Sequence, residues 1–275
     1  MLKTLLLFSL LVSSPLVTIA HGETLTFGIV PQQSAKRLAT LWTPILQRIS
    51  ETSGINVKFS TARDIPTFEQ RLAEGAYDIA YMNPYHYVVF NKQSGYLAIA
   101  KQQGKTIKGV IVAKVGSNIN TIEDLDGTRL AFPAPAAFAA SILPIAELKR
   151  HGISFKPSYV SSHDSVYLNV SKGFFPAGGG IKRTLNNMSE GVKSQLVTIW
   201  ETQGYTPHAI AVNPKVSDTS KQKILSALLE LNNNIQGKEL LKSINFKGID
   251  TATNNDWDDV RSLNLETLMG TSVPK

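Results

Sequence analysis

The sequence predicts an α/β protein of two lobes, each a mostly parallel sheet flanked by helices. Three observations carry this reading. Short β-rich alternating segments, such as LTFGIV at 25–30 and INVKFS at 55–60, have the period of strands. Between them lies a segment whose apolar residues Leu38, Leu41, Trp42, Ile45, Leu46 and Ile49 recur at helical spacing. The second half of the chain then repeats this strand–helix grammar without repeating the sequence.

In order, the first strand at 25–30 is followed by a turn at 31–34 and a helix over 35–52 that Gly54 stops. The strand at 55–60 leads to a helix over 66–74, ended by Gly75, and to a short strand at 77–81. Asn83-Pro84 opens the next helix, because proline at a first helical position lacks only an N–H that would be unpaired there anyway. Strands follow at 97–100 and 109–113, a short helix at 121–125 and a strand at 129–132. A helix over about 139–151, a strand at 158–160 and a helix over 164–172 come next. Strands at 197–200 and 208–212 precede an amphipathic helix over 220–232, and the Asn/Asp-rich run at 253–259 reads as loop and short helix. A crevice between two such lobes is a common place for a small ligand.

The first residues have the pattern of an export signal: Lys3, an apolar core at 5–12, then small residues that place cleavage near 20–22. No cysteine stands nearby to carry a lipid, and no later segment has the apolar length of a membrane span. This leaves about 253 residues, enough to bury a sizeable core without disulfides. With no cysteine at all, thiolate metal sites and a Cys nucleophile are excluded. The formal charge is +7, but the basic residues are dispersed, as in Lys36-Arg37 and Lys182-Arg183. No nucleic-acid partner is expected, while an anionic ligand is favoured by the overall field.

Four ordered stretches carry a family resemblance: FGIVPQQSAKRLATLWTPILQRISETSGINVKF (27–59), GAYDIAYMNPYHYV (75–88), VIVAKVGSNINTIEDLDGTRLAF (110–132) and SHDSVYLNVSKG (162–173). Together they resemble the periplasmic phosphate/phosphite/phosphonate-binding proteins of ABC importers. The resemblance is close over about 25–184 and loose in the last third. It implies a type II periplasmic-binding-protein fold, with lobe 1 at 23–107, lobe 2 at 108–206 and a return through 207–275. Its implied function is capture of a small solute between the lobes and delivery to an inner-membrane ABC permease. The same closing cleft would serve a sensor that presents its ligand-bound form to a membrane receptor or histidine kinase. The fold alone does not separate these.

The resemblance also exposes departures. The family holds its anion on a Ser-Thr-Ser turn at a helix N-terminus, which aligns here with Ala137, Phe138 and Ala139. Two ligand-contacting tyrosines align with Ile65 and Ile107, an acidic residue with His208, and a small polar stretch with Gly178-Gly179-Gly180. His163 alone keeps the family's residue. The expected ligand is therefore a small solute, anionic or not, but not a standard phosphonate.

Read by themselves, these residues keep bland alternatives. Gln33 and Ser34 sit after the first strand, where a ligand site and a simple helix cap are equally compatible with the sequence. Of Tyr85 and His86, one is expected to line the cleft and the other to pack, with Tyr85 the better ligand contact. His163 is expected to donate to ligand, with Ser162 capping the helix. No G-x-S-x-G elbow supports a catalytic triad, so no enzyme activity is expected. His163 and His208 lack a third metal ligand at suitable spacing, and no metal or cofactor is expected. Gly179 and its neighbours resemble a phosphate-cradling loop in outline, or mark a close backbone approach.

Overall fold

A computed structural model describes residues 22–265. The expected export signal, apart from Gly22, lies outside the described residues. The chain opens with β1 (Thr24–Ile29), α1 (Ala35–Ser53), β2 (Asn56–Thr61), α2 (Ile65–Ala73), β3 (Ile79–Met82), α3 (Pro84–Ser94) and β4 (Leu97–Gln102). It crosses into a second body made of β5 (Gly109–Lys114), β6 (Thr128–Phe132), α4 (Leu143–Arg150), β7 (Phe155–Tyr159), α5 (His163–Ser171), β8 (Ala177–Ile181), α6 (Lys182–Asn186), α7 (Glu190–Lys193) and β9 (Leu196–Glu201). It then returns as β10 (Ala209–Val212), α8 (Asp218–Glu230), α9 (Ile235–Ser243), β11 (Ile249–Thr251) and α10 (Asp258–Arg261).

The result is a two-lobe α/β fold with one sheet per lobe: a six-stranded sheet ordered β11-β4-β10-β3-β1-β2 and a five-stranded sheet ordered β7-β6-β8-β5-β9. Both sheets are mixed rather than mostly parallel, the arrangement that the strand–helix alternation predicts. The pairs β1·β2, β1·β3, β6·β7 and β6·β8 are parallel, and the strands that enter after a crossing, β10 and β5, pair antiparallel. Helical crossovers return a chain in the same direction, whereas a strand arriving from the other lobe is free to run the opposite way. The two crossings, at 103–108 and 202–208, are themselves tied by paired bonds between Ile107 and Tyr205, at 2.9 and 3.0 Å.

Side-chain oxygens cap the helices as the sequence pattern suggests. Ser34, Asp64, Asn83, Ser162 and Ser217 each accept from the backbone N–H three residues on. Each satisfies a donor that the helix itself cannot. Along β5 the alternation divides two apolar layers. Ile111 packs with Leu130, Phe132 and Leu148 on one face of the sheet, and Val110 and Val112 with Val166 and Tyr167 on the other. The largest apolar cluster is continuous between lobes, joining Phe27, Ile79 and Tyr81 of the first to Phe138, Ala139 and Ile142 of the second.

Three differences from the sequence reading bear on the site. Gly178-Gly179-Gly180 is not a loop but lies within β8, inside the second sheet. Strand propensity gives no hint of this, yet the packing demands it. A Cβ on Gly179 would lie 2.1 Å from the carbonyl oxygen of Ala140, and one on Gly180 would lie 2.0 Å from the Tyr167 hydroxyl. The helix expected from 139 begins instead as a π-helical turn, Phe138–Ile142, before continuing as α4. Finally, α9 and β11 in the return segment carry too weak a pattern to have been read.

Candidate functional site

The turn between β6 and α4 faces the other lobe. Ser141 and Ile142 both donate their N–H to the carbonyl of Ala137, at 2.7 and 3.2 Å, the second being the longer reach of a π turn. The amides of Phe138, Ala139 and Ala140 have no backbone acceptor among the described residues. They are the unpaired donors of a helix N-terminus, at its positive end. Two carbonyls of the same turn press on glycines. That of Ala139 sits where a Cβ of Gly109 would be, and that of Ala140 where a Cβ of Gly179 would be. Those glycines let the turn lie down on β5 and β8.

None of residues 137–139 carries a hydroxyl, and the turn's own hydroxyl, Ser141 Oγ, is buried without a hydrogen-bond partner among the described residues. Ala137 and Ala139 contribute methyls, and the Phe138 ring, 1% exposed, meets the ring of Tyr205 edge-on at 5.8 Å. The space left before the turn is about 10 Å³. Its walls include Gln32, Asn83, Ile65, Ile107, His163 and His208. A cavity of this size accommodates at most a single water. Asn83 spans the lobes here: its amide donates to the carbonyl of Ala136 at 3.0 Å while its oxygen caps α3.

Two buried histidines, His163 and His208, line this cavity, and a third, His86, lies against Asn83 with Nε2 3.3 Å from the Asn83 amide nitrogen. The Gln32 amide donates to Nε2 of His208 at 2.9 Å, so that ring nitrogen is an acceptor, and the ring stacks on Tyr81 at 4.9 Å. Both nitrogens of His163 are buried without a hydrogen-bond partner. His86, wholly buried between Phe68 and Phe90, has Glu69 at 3.6 Å. Burial holds the imidazoles neutral: His86 is pushed down to about 3 and His163 to about 4, the latter helped by the Arg183 charge. His208 is held well below its ordinary range by burial, then by Arg183 and the other two rings. Burial raises Glu69 to about 7, so its contact with His86 is not a strong ion pair.

Comparison with known proteins fits this architecture. The family described as "ABC transporter, phosphonate, periplasmic substrate-binding protein" matches residues 27–257. The chain belongs to that family. It is 24% identical over 235 residues to the phosphate-import protein PhnD of Mycolicibacterium smegmatis, covering 75% of this chain and 73% of that one. It is 22% identical over 271 residues to the phosphonates-binding periplasmic protein of Escherichia coli, covering 92% of this chain and 80% of that one. Its fold superposes on PhnD1 of Prochlorococcus marinus, solved with methylphosphonate, at a TM-score of 0.80 and 19% identity, covering 89% and 98% of the two chains. Family and fold are those of a non-catalytic solute-binding protein.

Within this family member, the residues singled out from sequence fall into two groups. Ala137, Phe138, Ala139, His163 and His208 converge on the small cavity. Gln33 lies in an adjoining cleft of about 270 Å³, between α1 and α6, into which His163 also opens. The others lie elsewhere. Ser34 caps α1, its oxygen 3.3 Å from the Arg37 amide. Tyr85 lines a separate groove with Val88, Val89 and Val260. Gly179 is buried in β8 beneath the turn. Among the described residues no group of three or more His, Cys, Asp or Glu side chains is arranged to hold a metal ion.

Two further residues at this point, Asn83 and Tyr81, carry no signal in the sequence for the places they take. The Asn-Pro pair announced a helix start, but nothing in it says that the amide reaches the other lobe. Tyr81 is buried, yet one face of its ring carries His208 and its hydroxyl lies beside Arg183.

Proposed function

We propose that this periplasmic binding protein of an ABC importer has an altered pocket, one that does not close on phosphate or a standard phosphonate. The observation that carries the proposal is Phe138. Its ring occupies the position that the family alignment gives to a hydroxyl, and only about 10 Å³ remains in front of the turn. A space that holds at most one water does not hold a tetrahedral oxyanion, and seating one would require the ring to leave a fully packed position.

Two further features support an altered rather than a merely closed cleft. Residues 137–139 supply no hydroxyl donor to share an anion's charge with the three unpaired amides. The histidines around them are held neutral, so they offer single N–H donors and no positive charge. The residues proposed to meet the solute are Gln33, Ala137, Phe138, Ala139, His163 and His208, and the proposed partner is an inner-membrane permease. Export with removal of the N-terminal segment near residues 20–22 belongs to the same proposal.

Isothermal titration with phosphate, phosphite, methylphosphonate and 2-aminoethylphosphonate tests it. The expected result is no saturable heat at micromolar ligand. Submicromolar affinity for any of the four overturns the altered-pocket reading.

A further inference from the structure

A larger chamber lies beside the closed turn, on the crossing side, and it is basic. Its volume is about 650 Å³, within the range that holds small organic ligands. Six cations line it: Lys105, Lys108, Lys182, Arg183, Lys242 and Lys247. No Asp or Glu is among its lining residues. Glu201, outside it, pairs with Lys108 at 3.0 Å and with Lys182 at 2.6 Å. Lys105, Lys242 and Lys247 have no carboxylate partner among the described residues.

The six do not belong to one surface. Lys105 and Lys108 stand on the first crossing, Lys182 and Arg183 on α6 of the second lobe, and Lys242 and Lys247 at and beyond the end of α9 in the first. Mutual repulsion of like charges makes this convergence costly for the bare protein. Asn186, Asn187 and Asn245 add neutral amides to the same walls, and Ile107, Ile181 and His208 line both the chamber and the small cavity at the turn.

We infer that this chamber binds a soluble polyanion, a compound carrying three or more negative charges such as a run of phosphate groups, bridging the two lobes. Cations from both lobes meet only when the lobes are together, so such a ligand binds the closed form more tightly and holds it closed. Each unpaired lysine gains a partner, and Glu201 leaves two further cations only partly neutralised. This inference rests on the reading above to one extent: no tetrahedral oxyanion is seated on the turn.

The test is titration of inorganic tripolyphosphate, with methylphosphonate in parallel, into three full-length proteins at 0.15 M ionic strength, where nonspecific surface attraction is largely screened. They are the wild type, Lys242→Glu/Lys247→Glu, and Lys156→Glu/Lys223→Glu. The last carries the same change in net charge on exposed lysines outside the chamber. Saturable binding of tripolyphosphate to the wild type is expected, weakened by tenfold or more in the chamber variant and by less than threefold in the control. Absence of saturable binding, or equal weakening in both variants, overturns the chamber site. Submicromolar methylphosphonate binding to the wild type overturns the altered-pocket reading instead, whatever tripolyphosphate does.

Discussion

The Phe138 ring stands edge-on to Tyr205, with centroids 5.8 Å apart and planes at 81°. One residue belongs to the turn of the second lobe and the other to a crossing strand between lobes. The contact joins the turn of the second lobe to the crossing, beside the small cavity lined by His163 and His208. In this protein an aromatic pair and a continuous apolar cluster hold the lobes together.

Phe138→Ala should therefore destabilise the protein by roughly 3 to 5 kcal/mol, the usual cost of emptying an aromatic site in a core. Phe138→Leu, which keeps most of the volume, should cost about 1.5 kcal/mol or less. Urea unfolding midpoints of the two variants measure the difference. Equal stability of wild type and Phe138→Ala would mean that the ring is not part of the packed interface.

The buried histidines make stability depend on acid. Unfolded histidines titrate near 6.5, so below about that pH the unfolded chain takes up protons that His86, His163 and His208 refuse in the folded state. Stability therefore falls as pH drops from about 6.5 toward the folded value of about 4 for His163. Glu69 acts in the opposite sense: raised to about 7, it keeps a proton that the unfolded chain has lost, so its share of stability falls as pH rises from the ordinary carboxyl range to 7. Three rings outweigh one carboxyl, and the folded state should be weaker at pH 5 than at pH 7. His163→Gln should remove about 2 kcal/mol of that loss, read as a shallower change in unfolding free energy between the two pH values. An unchanged pH slope would show that His163 already carries its proton when folded.

Gly179→Ala tests why the glycine triplet exists. Its Cβ would meet the backbone oxygen of Ala140 at 2.1 Å, and backbone cannot swing aside as a side-chain tip can. A loss of about 3 kcal/mol is expected from overpacking, measured by thermal or urea unfolding. Gly116→Ala is the contrasting control: nothing lies within 4 Å of its Cβ, and its φ of +77° alone makes it costly. A neutral Gly179→Ala would mean that the turn does not lie against β8.

These cases show how far the sequence carries. Helix α1 was legible because its apolar stripe and the glycine at its end are local signals, and local signals survive folding. The same holds for β1, β2 and α8. Strand β8 was not legible, because its reason for glycine lies in the carbonyl of Ala140 and the hydroxyl of Tyr167, both distant in sequence. At the site, the alignment located Ala137–Ala139, His163 and His208 as neighbours of one point. It did not show that the Phe138 ring packs edge-on against Tyr205 there, since ring direction depends on where Tyr205 stands. Nor did the dispersed lysines hint at a basic chamber; Lys105, Lys182 and Lys247 become neighbours only when the chain has crossed twice.

The central claim is that Phe138 and its flanking alanines have closed the family's oxyanion cradle. Calorimetric titration of methylphosphonate into the wild type and into Ala137→Ser/Phe138→Thr/Ala139→Ser tests it most directly. The account predicts no saturable heat in the wild type and measurable saturable binding in the triple variant, whose hydroxyls rejoin the unpaired amides. Submicromolar binding of methylphosphonate by the wild type would contradict it.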